Sequence, residues 1–63
     1  MESDKLKRLL EHWIEHSKEH TAKYVEWSEK LKVEMPEISR LLRRAVEKYE
    51  EGEKLLEEAY NKL

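Results

Sequence analysis

The sequence has no cysteine and no glutamine, and only one asparagine, one glycine and one proline among 63 residues. The missing cysteines exclude disulfides and thiolate metal sites. A chain this short buries a small share of its surface and needs extra support, which leaves a metal held by nitrogen or oxygen donors, or a partner. No stretch approaches the roughly 20 apolar residues of a membrane span. Nor is there a signal-like apolar run, so the expected location is the cytoplasm. Charged residues make up 44% of the chain, and with so few amides the composition leans toward that of thermophile proteins.

Charge of one sign is also lacking. The net charge is −2, and the halves up to and after Leu31 carry six basic against seven acidic residues, then seven against eight. Arg40, Arg43 and Arg44 cluster, but Glu47, Glu50, Glu51 and Glu53 follow on the same segment and would repel a phosphate backbone. Nucleic acid is therefore not an expected partner.

What is present is helical periodicity. Ser3 or Asp4 can cap a first helix over about 4–32, whose seam is Leu6, Leu10, Trp13, Ser17, His20, Tyr24, Trp27 and Leu31 at steps of four and three. The pattern breaks over about 33–36, where Pro36 suits the start of a new helix. It resumes over about 37–62 as Ile38, Leu42, Ala45, Tyr49, Gly52, Leu56, Ala59 and Leu63.

Two seams of period 3.5 joined by a short turn predict an all-α antiparallel hairpin with coiled-coil-like packing, roughly 40 Å long. Paired outward from the turn, Leu31 meets Ile38, Trp27 meets Leu42, Tyr24 meets Ala45, His20 meets Tyr49, Ser17 meets Gly52 and Trp13 meets Leu56. Gly52 costs about 1 kcal/mol relative to Ala inside a helix, which points to close backbone approach, to room for something bulky, or to a tolerated glycine. Leu9, Ile14, Leu41, Val46, Leu55 and Tyr60 form a second stripe. A lone hairpin leaves it wet, so a homodimeric four-helix bundle is expected.

The candidate functional residues are His12, His16 and His20, the only histidines, at four-residue steps along one side of the first helix. Two imidazoles at i and i+4 can chelate a divalent transition ion. His12 and His20 lie about 12 Å apart along the axis, so one ion would take an adjacent pair plus a carboxylate such as Glu53 or Glu57, or a ligand from another subunit. The competing reading is structural, with His20 buried in the seam opposite Tyr49 and hydrogen-bonded to a phenol or a carbonyl, and the other two ordinary surface residues.

His12-Trp13-Ile14-Glu15-His16 fits the inverted zinc-peptidase pattern H-x-x-E-H, as does His16 to His20. A hairpin this small has no cleft for the rest of such a site. Bundles with di-iron carboxylate centres use Glu-x-x-His, whereas Leu9, Trp13 and Ser17 precede these histidines. No enzymatic activity is expected.

The stretch from Leu9 to Lys30, with His-Trp-Ile-Glu-His-Ser-Lys-Glu-His and the later Tyr24 and Trp27, resembles very short helical proteins of archaea and anaerobic bacteria. Related segments stand beside, or are fused to, small nickel-binding accessory proteins of carbon monoxide dehydrogenase maturation. The resemblance implies metal handling, with nickel a candidate beside zinc and with His12, His16 and His20 as the matching positions. The sequence thus carries two expectations: a non-enzymatic homo-oligomer that binds a divalent transition metal, and a structural oligomerisation or protein-interaction module without metal.

Overall fold

The chain is described from a computed structural model covering all 63 residues. It consists of helix α1 (Glu2–Lys30) and helix α2 (Pro36–Asn61), packed against each other as a hairpin with extents of 51 × 15 × 11 Å. Neither helix is long and apolar enough to cross a membrane. Helix α1 begins at Glu2 without a side-chain cap. Ser3 and Asp4 therefore lie inside the first turn, and the Asp4 carboxylate instead sits 3.8 Å from the N-terminal ammonium. Pro36 occupies the first turn of α2, where its lack of an N–H costs nothing.

The seam between the helices differs from the expected one. Its α1 side is Leu10, Ile14, Ser17, Thr21, Tyr24, Ser28 and Leu31; its α2 side is Ser39, Leu42, Val46, Glu53, Leu56 and Tyr60, all buried or half-buried. Leu10, Ser17, Tyr24, Leu31, Leu42 and Leu56 are common to both versions. At alternate positions, however, the seam takes the next residue along: Ile14 for Trp13, Thr21 for His20, Ser28 for Trp27, Ser39 for Ile38, Val46 for Ala45, Glu53 for Gly52 and Tyr60 for Ala59. Trp13 and Trp27 consequently remain 45% and 52% exposed.

The physical reason is that small hydroxyl side chains fit a close helix contact and find their own partners, whereas indoles would hold the helices apart. Thr21 Oγ1 donates to the Lys18 carbonyl at 3.0 Å, and Ser28 Oγ donates to the Val25 carbonyl at 2.7 Å. Ser39 Oγ crosses the seam to the Ser28 carbonyl at 2.6 Å. That carbonyl lies in the last turn of α1, where carbonyls lack intrahelical partners, and the backbone N–H of Lys32 bonds Glu29 instead. Ser17 Oγ donates to Glu53 at 2.6 Å. The cost of burying the Glu53 carboxylate is thereby offset in part by a charge-assisted bond. Only Leu10 and Val46 are buried apolar side chains.

Candidate functional site

The shift of the seam sorts the remaining residues onto two sides. In an antiparallel pair, positions just before the seam on both helices share one side, and positions just after it share the other. The second side is polar and bridged. Lys18 pairs with Glu57 at 3.6 Å, Arg43 with Glu29, and the Tyr60 hydroxyl donates to Glu11 at 2.8 Å. This bond, then the charge of Glu11 and then burial, raises the Tyr60 phenol above its ordinary 10.0.

The first side is apolar and uncovered. Helix α1 presents Leu6, Trp13, His20 and Trp27 every seven residues; α2 presents Ile38, Ala45, Gly52 and Ala59 at the same spacing. Leu9, Leu41 and Leu55 extend it outward, at 38%, 58% and 65% exposure. In its middle, Tyr49, Gly52, Leu55 and Leu56, with the polar Ser17, Lys48 and Glu53, line a groove of about 560 Å3. A Cβ on Gly52 would meet nothing within 4 Å, so the glycine marks open space and not a close backbone approach.

The histidines lie along the α1 edge of this apolar side. They do not enter the seam: His20, expected there, is exposed, and Thr21 takes its place. The His12 and His16 ring centroids are 4.3 Å apart, and those of His16 and His20 6.5 Å. His20 stacks on Tyr24 at 6.1 Å, and Tyr24, not His20, meets Tyr49, at 5.6 Å. Hydrogen bonding with Tyr49, followed by that neighbour's charge and by burial, pushes the Tyr24 phenol above 10.0. Five rings thus run in file from the outer surface of α1 to α2.

No carboxylate completes a metal site within the chain. No group of three or more histidine, aspartate or glutamate side chains is placed to hold an ion. The two suggested acids are engaged elsewhere: Glu53 is buried against Ser17, and Glu57 pairs with Lys18 on the polar side. Sequence reasoning missed Thr21, Ser28 and Ser39 as seam residues. The available signal was the seven-residue step from Thr21 to Ser28 in a chain with five hydroxyl-bearing Ser and Thr side chains in all.

Residues 6–63 match a family model described as "Domain of unknown function (DUF8180)". The chain belongs to this family. A relative in Archaeoglobus fulgidus, an uncharacterized protein, is 45% identical to it over 56 residues, covering 89% of this chain and 90% of that one. No solved structure matches the chain. Since the family match begins at Leu6, both rows of the apolar side and all three histidines fall within the family domain.

Proposed function

We propose that this DUF8180 protein is a non-enzymatic assembly module whose hairpin pairs with a second copy of itself through the apolar side to make a four-helix bundle. The observation that carries the reading is the matched pair of rows. On α1 the row is Leu6, Trp13, His20 and Trp27; on α2, at the same seven-residue step, Ile38 is followed by three small residues, Ala45, Gly52 and Ala59. A two-fold partner sets each ridge into the other copy's groove, the self-complementarity that an isologous interface requires.

The areas agree with this reading. A compact monomer of this mass, 7.7 kDa, exposes about 4,300 Å2 by the usual scaling. This hairpin exposes 5351 Å2. The excess of about 1,000 Å2 is close to the roughly 800 Å2 that each partner contributes to a standard interface. Two buried apolar side chains are, besides, a very small core for an independent domain.

The test is sedimentation equilibrium across a hundred-fold concentration range. The expected result is twice the monomer mass at the upper end, with a melting temperature that rises with concentration. A monomer throughout, with a concentration-independent melt, would remove self-assembly and leave the same apolar side to a different protein.

A further inference from the structure

We infer that His12 and His16, without His20, form a two-imidazole site for a single divalent transition ion. The sequence cannot choose between the adjacent pairs, because both have the same four-residue spacing; ring geometry does. A ligating nitrogen stands about 2.1 Å from such an ion and the ring centre about 1.15 Å beyond it, so two rings on one ion have centroids about 4.6 Å apart at a right angle, about 5.3 Å apart at the tetrahedral angle and about 6.5 Å apart only when the two ligands are collinear through the ion.

His12 and His16 stand at 4.3 Å, within a small side-chain adjustment of the right-angle value. His16 and His20 stand at 6.5 Å, the separation of a collinear pair and more than about 1 Å above the tetrahedral value, with His20 turned onto Tyr24. Both members of the closer pair are solvent-exposed, so an ion enters without displacing packed side chains. Glu15 and Glu19 follow them by three residues, one near-turn along the helix, and favour a cation electrostatically. Neutral imidazoles and no thiolate select the copper, nickel and zinc class over magnesium and calcium. With two protein ligands, water completes the coordination. Affinity should follow the usual order for such donors, copper above nickel and zinc.

The experiment is calorimetric titration of metal-free, full-length protein with CuCl2, NiCl2, ZnCl2 and MgCl2, with the imidazole C–H resonances followed by NMR for the diamagnetic zinc. Expected are one ion per chain, no magnesium binding, at least ten-fold weaker binding in His12→Ala and His16→Ala, and a change of less than two-fold in His20→Ala. Circular dichroism of each variant confirms the helix content, which substitution of an exposed helical residue by Ala leaves intact. Binding that persists unchanged in a Trp27→Glu/Leu41→Glu chain, whose substitutions lie on the apolar side but at least 11 residues from His16, separates this site from self-assembly. Equal loss in His20→Ala, one ion per two chains, or no saturation below about 1 mM metal would each overturn it.

Discussion

The two long sides of this hairpin share the same backbone and nearly the same residue spacing, yet they are finished differently. On one, Glu11, Lys18, Glu29, Arg43, Glu57 and Tyr60 reach across the helix boundary and satisfy one another. On the other, Trp13, Trp27, Ile38, Leu41 and Leu55 stand exposed without a covering element. Cross-boundary ion pairs on an exposed surface contribute little to stability, so the bridged side gains chiefly in compatibility with water. The apolar side has no such finish, and a large apolar patch on a small protein marks a contact surface. Within one chain, polarity thus separates a surface whose side chains satisfy one another from one that leaves apolar side chains uncovered, the surface proposed to meet a second copy.

Breaking the contrast outright means placing charge on the apolar side. Trp13→Glu with Trp27→Glu should lower self-association at least a hundred-fold, since central aromatic anchors commonly contribute about 2 kcal/mol or more each. A fall of that size in sedimentation is expected, and an unchanged mass would show that these indoles do not face a second copy.

The seam between the sides offers the next effect. Ser39→Ala leaves the Ser28 carbonyl at the end of α1 without its donor and should cost about 1–2 kcal/mol in urea unfolding, at a protein concentration held constant. An effect near zero would mean that water replaces the hydroxyl.

Gly52 sharpens the comparison further. Gly52→Ala adds a methyl group to open space and should raise helix stability by up to about 1 kcal/mol in the non-associating double variant. Gly52→Leu in the otherwise unaltered chain should instead weaken association at least ten-fold, because it fills the groove proposed to receive the second copy. Equal behaviour of both substitutions in both backgrounds would count against an occupied groove.

The smallest effects belong to the bridged side. Lys18→Ala should change stability by less than about 0.5 kcal/mol and leave the mass unchanged. For Tyr60 the sign follows from its raised pKa: the bond to Glu11 contributes fully below the ordinary tyrosine value and is lost as pH rises through the higher folded value. The stability difference between the native chain and Tyr60→Phe should therefore hold near neutrality and shrink from about pH 10 upward. A difference independent of pH would show that ring packing, not the hydroxyl, is responsible.

The two helices, their antiparallel return at Pro36 and the period of 3.5 were legible in the sequence, because apolar spacing and a proline act locally. The choice between two adjacent seams was not. Leu10, Ser17, Tyr24 and Leu31 belong to both, and the size of Trp13 and Trp27 argued for burial when counted by hydrophobicity alone. Thr21, Ser28 and Ser39 decide it through bonds to the Lys18, Val25 and Ser28 carbonyls, which no hydropathy pattern carries. The histidine row was visible as spacing, but not that His16 lies nearer His12 than His20, since ring orientation depends on Tyr24.

A purely greasy seam with a seven-residue repeat tolerates sliding by one repeat, because each apolar side chain finds an equivalent neighbour. Ser17 to Glu53 and Ser39 to Ser28 are two pins set 11 residues apart on α1, or about 16 Å along it. A slip of seven in the direction that brings Leu10 to Glu53 would strand a buried carboxylate. Replacing both pins by well-fitting apolar residues could raise the melting temperature while admitting a second alignment, the exchange of uniqueness for strength known from polar positions in helical zippers. Alignment in this molecule is thus fixed by its least hydrophobic contacts.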